Sequence, residues 1–329
     1  MRKFLSIVIP RYSETERELF PLLSSINGQI GVDFDDIEVI VSTDGGGQPL
    51  LSKGYVDLFY NLQIKQVKLD ENRGPGVARQ NGLDAALGDY VMFCDADDTL
   101  HNVGVLGALI EDAERESPDM LTSSWLEEIE NDDGKMLYLT HEQENTWMHG
   151  KFLRRRFLQK NNIRFHPDLR VHEDSYFLSV ASAYADKMHH SQCLSYVWKW
   201  SPNTITRRNN GLYSYDSVET FVIACTESFK IVEQVRKETM PYKVVQFVFY
   251  HYFSLHQPDW LDESKKIYRD AVEARLVERI APFWHYYTEQ TPEFISEVYN
   301  NERSTRFTNL IENETLYQWF DRLGLEYNK

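Results

Sequence analysis

At 329 residues the chain is long enough for two modest domains or one large one, and for a sizeable buried core. Its 42% hydrophobic and 26% charged content is that of a soluble globular protein, and no apolar run approaches the roughly 18–20 residues of a membrane span. Three cysteines without CxxC spacing exclude a disulfide framework and a structural zinc site, and a formal charge of −16 disfavours nucleic acid and anionic lipid as partners. The expected setting is reducing and cytoplasmic, at a membrane surface only if an acceptor draws the protein there.

The start, MRKFLSIVIP, is basic and then apolar like a signal peptide, but the apolar part from Phe4 to Ile9 is too short and no small-residue cleavage site follows. It reads as a buried strand. SETERELFPLLSSINGQ carries leucines at helical period, with Ser13 as a cap, and IEVIVST is a second strand running into the turn cluster DGGG. GYVDLFYNL reads as a helix, IKQVKL as a third strand, PGVARQNGLDAALG as a helix opened by glycine and proline, and YVMFC as a fourth strand. This alternation defines a parallel sheet covered by helices, in which ligands bind beyond the carboxyl ends of the strands. Ser13, Asp44, Asn72 and Asp95 stand at those ends.

From about Val103 the pattern loosens. VGVLGALIEDAERE reads as a helix, MLTSSWLEEIE as a strand, NDDGK as a turn, KFLRRRFLQKNN as a basic helix with a solvated face, and CLSYVWKW as a late strand. Ser201 to Asp216 is polar and flexible in character, and helical period prevails beyond it. Two domains follow: an α/β domain over residues 1–214 and a mainly helical one over 215–329. FVFYHYF and PFWHYY give the second domain its own core, and it is also the place for acceptor or oligomer contacts.

Three constellations carry chemistry. DADD, Asp95 to Asp98, closes the fourth strand, and like charges this close repel unless a cation meets them. Carboxylates at i and i+2 can share one divalent cation, Mg²⁺ or Mn²⁺, whose sphere substrate phosphates complete; an isolated Asp-x-Asp is also an ordinary acidic turn. NRGPGVARQNG, Asn72 to Gly82, has part of a dinucleotide fingerprint. Arg79 stands where a third glycine would, and the segment follows the third strand, which argues against a nicotinamide or flavin enzyme. The glycines still admit a ligand to the backbone, and Arg79 offers a fork for phosphate or a base edge. VHEDSYF supplies Glu173 and Asp174, a candidate general base and equally an ordinary pair of helix-start acids.

Together these motifs resemble the inverting family 2 glycosyltransferases, whose catalytic domain has the GT-A fold, from about residue 4 to about residue 205. The likeness rests on SIVIPRYSE, VSTDGG, NRGPGVARQNGL, FCDADD and VHEDSYF in order, with GKFLRRRFL and IRF before the last. The resemblance implies a GT-A domain, Rossmann-like with a mostly parallel sheet between helices. It implies a nucleotide-diphospho-sugar donor, a UDP-sugar first among them, and a glycan or related polymer as acceptor. Pro10 and Tyr12 would lie against the base, Asp44 would accept from its ring nitrogen, and Arg79 would lie near base or phosphate. Asp95, with Ala96 beside it, would approach the ribose and metal-bound waters. Asp97 would ligate Mn²⁺ or Mg²⁺, Asp98 would be a helix-start acid, and Asp174, beside Glu173, would be the base. Ser13, Thr43 and the glycines after Asp44 depart from the family pattern around the base pocket, so they bear on the base more than on the reaction.

Acceptor recognition falls to Trp147, His149, Trp198 and Trp200, with Thr204, Thr206 and Arg207 closing as a lid; tryptophans in a late strand also serve as plain core. Other readings remain open on the residues alone. One is a nucleotidyltransferase acting on a sugar phosphate, and another is a non-catalytic carbohydrate-binding relative. A third, transfer to bases in DNA, runs against the net charge and leans on Arg154, Arg155 and Arg156.

Overall fold

The computed structural model describes residues 3–46, 49–131, 133–142, 146–201, 212–306 and 314–327. The chain divides into two compact units, residues 1–201 and 202–329, where the sequence places the boundary at 214/215. In the first unit the order is β1 (Lys3–Arg11), α1 (Glu16–Asn27), β2 (Ile37–Thr43), α2 (Lys53–Val56), β3 (Ile64–Lys68), α3 (Pro75–Ala85), β4 (Gly88–Phe93) and β5 (Thr99–Leu100). It continues with α4 (Val105–Glu116), β6 (Met120–Glu130), β7 (Met136–His141), β8 (Phe152–Arg154), α5 (Arg155–Lys160), α6 (Glu173–Tyr184) and β9 (Met188–Trp198).

These strands form one sheet in the order β3-β2-β1-β4-β8-β6-β9-β5, with β7 on β6. The first four run parallel; β1, β2 and β4 are apolar and covered on both faces, while β3 is the partly exposed edge strand. Leu5, Ile7 and Ile9 of β1 join the core cluster of Leu19, Leu22, Leu23 and Ile26 from α1 and Leu106 and Leu109 from α4. Val8 faces the other way, toward α3, where Gly82 leaves room for it. Beyond β4 the sheet is mixed: β8 is antiparallel to β4 and β6, and β6 is parallel to β9. The parallel half aligns the carboxyl ends of β1, β2 and β4 along one edge, and the residues that follow each strand meet there.

Several local expectations need correction. Thr15, not Ser13, caps α1, in a capping box with Glu18. GYVDLFYNL is helical only over the short α2. MLYLTH is a strand, β7, antiparallel to β6. KFLRRRFLQKNN begins as β8 before turning helical, and its arginines are not merely solvated. Arg154 Nε donates to the Pro118 carbonyl at 3.0 Å and Arg155 Nε to that of Gly88 at 2.6 Å.

The second unit comprises, among the described residues, α7 (Leu212–Val235), α8 (Met240–Leu255), α9 (Pro258–Leu261), α10 (Lys266–Ile280), α11 (His285–Thr288), α12 (Pro292–Arg306) and α13 (Leu316–Leu323). Helix α8 is buried along most of its length, from Val244 to Leu255. Buried Glu273 of α10 accepts from Trp319 Nε1 at 2.9 Å and from Arg322, which pins α13 to α10. No helix of the described residues is long and apolar enough to cross a membrane.

A Cβ on Gly82 would stand 2.3 Å from Val8 Cγ1, in a layer with no slack. Gly82→Ala should therefore lower stability by about 1–3 kcal/mol, read from the urea midpoint.

Candidate active site

The edge formed by β1 and β2 is built first. Arg11, buried at the end of β1, donates from Nε to the Glu14 carbonyl (2.7 Å) and from Nη1 to that of Pro49 (2.8 Å), which folds the chain after the strand. Pro10 is half-buried and Tyr12 is 47% exposed. The Tyr12 ring passes so close to Gly46 that a Cβ there would lie 2.8 Å from it. Gly45, at φ 54°, abuts Glu71, where a Cβ would lie 2.0 Å from the carbonyl carbon, so glycine after Asp44 has a local steric reason. Buried Asp44 turns toward the loop before α3. Its Oδ1 accepts from the Arg73 N–H at 2.7 Å and its Oδ2 from the Gly74 N–H at 2.8 Å.

The acidic turn after β4 is asymmetric. Ala96 and Asp98 are buried, Asp95 is partly so, and Asp97 reaches solvent. Asp98 does not open a helix, because β5 follows it. Its Oδ2 accepts from the Tyr196 hydroxyl at 2.7 Å and its Oδ1 from the Lys199 N–H at 2.8 Å, while the same Tyr196 oxygen accepts from the Asp95 N–H at 2.8 Å. Burial, with Asp97 and Asp95 close by, pushes the Asp98 carboxyl well up. Burial and Asp98 push the Tyr196 phenol up as well, so it stays protonated. Asp97 is crowded by protein and lies near Asp95, Glu14 and Glu18, which pushes its carboxyl up to about 6.

Beside this turn stands an aromatic cluster. His149 stacks on Tyr196 with centroids 4.8 Å apart and on Trp198 at 5.7 Å; Trp147 lies 5.2 Å from Trp198, and buried Trp125 stacks on His141 at 3.9 Å. Burial pushes the His149 imidazole down to about 3 against the pull of Asp95, so the ring is neutral. Trp147, His149 and Trp198 thus form one patch, as the sequence suggests. Trp125, His141 and Tyr196 are members that pattern reading misses. Trp200 donates its N–H to Glu128 at 3.1 Å. Thr204, Thr206 and Arg207 lie outside the described residues.

On the far side, Glu173 and Asp174 open α6 after His172, a non-glycine residue in the left-handed region (φ 58°). Glu173 is buried and Asp174 half-buried. Between the two acidic groups lies Arg79 of α3, its side chain 6% exposed. Its Nη2 donates to Asp95 Oδ1 at 2.5 Å and its Nη1 to Glu173 Oε1. Burial works against the guanidinium charge, but Asp95, Glu173 and Asp174 outweigh it and raise its pKa. In turn, although burial alone would raise Asp95, Arg79 holds that carboxyl below its usual range. Burial and Asp174 push Glu173 up, with Arg79 opposing them. Both outer guanidinium nitrogens thus rest on protein carboxylates.

The donor set fits a hard divalent cation. Ligand atoms of Asp95, Asp98 and His149 lie within 4.8 Å of one another, and Asp97 adds a solvent-facing carboxylate. Asp98 is enclosed and both its oxygens already accept, which leaves Asp95 and Asp97 as the accessible oxygen ligands. Such a set suits Mg²⁺ or Mn²⁺.

At the edge of the parallel strands, then, an acidic turn faces a Glu-Asp pair across Arg79. Residues 6–172 match the family described as Glycosyl transferase family 2, and the chain belongs to that family. It is 24% identical over 228 residues to the uncharacterized glycosyltransferase EpsJ of Bacillus subtilis, covering 63% of this chain and 64% of that protein. It is 38% identical over 100 residues to the amylovoran biosynthesis glycosyltransferase AmsB of Erwinia amylovora, covering 29% and 31%. The chain thus spans less than two thirds of the length of these relatives. In three dimensions it resembles S. aureus TarS 1–349, solved in complex with UDP-GlcNAc, with a TM-score of 0.67, 18% identity, and 99% of this chain and 93% of that one covered. This likeness is one of fold.

Tyr196→Phe deletes the hydroxyl that joins the Asp95 N–H to Asp98. It should cost about 1–3 kcal/mol in thermal denaturation, because it strands a buried N–H and a carboxylate oxygen together.

Proposed function

We propose that the chain transfers a sugar from a nucleotide-diphospho-sugar, a UDP-sugar in the first instance, to a hydroxyl of a glycan or related polymer, with inversion at the anomeric carbon. The observation that carries this reading is the meeting of two acidic groups at one sheet edge, Asp95 and Asp97 on one side and Glu173 and Asp174 on the other. Tyr12 and the Asp44 loop offer a ring and a polar edge to a nucleobase. Asp95 and Asp97 would hold the cation, Mn²⁺ or Mg²⁺, which when bound would offset the charge of the donor diphosphate. The aromatic patch of Trp147, His149 and Trp198 suits the apolar face of a pyranose. Asp174 takes the proton of the acceptor hydroxyl as that oxygen bonds to the anomeric carbon, and the bond to the diphosphate oxygen breaks on the opposite side. Ser175 N–H donates to Asp174 Oδ1 at 2.7 Å, which fixes the carboxylate plane. The AmsB relative is an amylovoran biosynthesis glycosyltransferase, which supports a polysaccharide-type acceptor.

Asp174→Asn should lower kcat by about 10²–10⁴-fold while calorimetry still detects the donor with Mn²⁺. Release of pyrophosphate from a nucleoside triphosphate, in place of nucleoside diphosphate from a sugar nucleotide, would instead identify a nucleotidyltransferase.

Because Asp97 titrates near 6, a proton competes there with the cation. Mn²⁺ affinity should hold above that pH and fall by about tenfold per unit below it, and Asp97→Asn should abolish both the binding and its pH dependence.

A further inference from the structure

We propose that Arg79 is a positioning residue: a single guanidinium sets the distance between Asp95 on the donor side and the Glu173–Asp174 pair on the acceptor side. The inference rests on the transferase reading above and departs from a role for Arg79 against the nucleotide. Its two outer nitrogens are spent on Glu173 and Asp95, residues on different elements that touch through it. Its Nε–H is buried without an acceptor among the described residues, so the two carboxylates, rather than saturation of its donors, dictate its orientation. Lysine, a point charge, cannot span two acceptors with a rigid fork.

The rest of α3 is arranged for the same purpose. Gly76, one turn before Arg79, leaves the space that Glu173 fills, since a Cβ there would lie 2.8 Å from Glu173 Cγ. The segment leading into α6 is fastened to α3 and its opening loop at further points. Phe165 N–H donates to Gln80 Oε1 at 3.0 Å, Arg164 Nη2 to Asp84 Oδ2 at 2.8 Å and Arg170 Nη1 to Asn72 Oδ1 at 3.0 Å. Of these contacts, only the one through Arg79 also reaches the acidic turn. A displacement of Asp95 when donor and cation arrive is therefore transmitted to the start of α6, where the base sits.

The test compares Arg79→Lys, Glu173→Gln and the double variant with the wild type. For Arg79→Lys we expect kcat to fall by about 10²-fold, the cost of misplaced reacting groups. Donor KM and the calorimetric Kd for UDP with Mn²⁺ should weaken far less than kcat falls, since Asp97 is untouched. The double variant should be no slower than the slower single one, because both weaken the same link. A Kd that weakens in step with kcat would mean that Arg79 serves the nucleotide, and additive losses would mean that the two residues act independently; either overturns the proposal. If the wild type turns over no sugar nucleotide, the transferase reading itself fails. Hydrogen exchange then decides on the coupling. The Tyr176 amide, bonded to the His172 carbonyl, should exchange faster in Arg79→Lys, and unchanged exchange there overturns the proposal.

Discussion

Asp95, Asp97, Asp98, Glu173 and Asp174 crowd one edge of the sheet, and a single buried guanidinium is placed among them. Desolvating so many acids is unfavourable, and the loss is limited only where each has a partner of good geometry. The partners differ in kind. Asp98 is satisfied by a tyrosine hydroxyl and a backbone N–H, whereas Asp95 and Glu173 share Arg79. Asp97 reaches solvent, and its carboxyl is raised first by the protein packed around it and then by Asp95, Glu14 and Glu18. The fold thus pairs the acids it encloses and leaves Asp97 toward solvent.

This division explains why α3 is so closely fitted. A helix that must bring a guanidinium between the turn after β4 and the start of α6 has to lie flat on the sheet, and Gly82 against Val8 permits that approach. The loop before it is anchored by Asp44, whose carboxylate receives two successive backbone N–H groups. The aromatic patch is tied into the same frame, because His149 stacks on the tyrosine whose hydroxyl holds the acidic turn. The Asp44 loop, the acidic turn, the aromatic patch and the Glu173–Asp174 pair are therefore tied together within the first unit.

Much of this is legible in the sequence. Apolar runs alternating with helical period identify β1, β2 and β4 with helices α1 and α3, because strands covered on both faces leave an unambiguous mark. The acids and Arg79 stand out by residue type and by their place at strand ends. Their partners do not. Arg79 and Glu173 are separated by 94 positions and Tyr196 and Asp98 by 98, and nothing local in either neighbourhood encodes the meeting. Tyr196 looks like any core aromatic of a strand. Ser13 and Thr15 both have a glutamate three residues on, so both satisfy a capping box by pattern; the choice is made by Arg11 and Tyr12, which fold residues 11–14 into a turn around Glu14. β7 escapes notice because MLYL is apolar without alternation and is exposed on both faces.

His172 holds a left-handed backbone conformation that non-glycine residues adopt at a cost of about 1–2 kcal/mol, and α6 begins directly after it without a side-chain cap. A segment whose own preferences disagree with its position is held there by its surroundings, here the face of α3 presented by Gly76, Arg79 and Gln80. The two stretches, roughly residues 72–85 and 164–184, therefore behave as one exchangeable module although ~80 residues of chain separate them. Grafting a relative's base-bearing helix into this scaffold requires transplanting the partner helix with it.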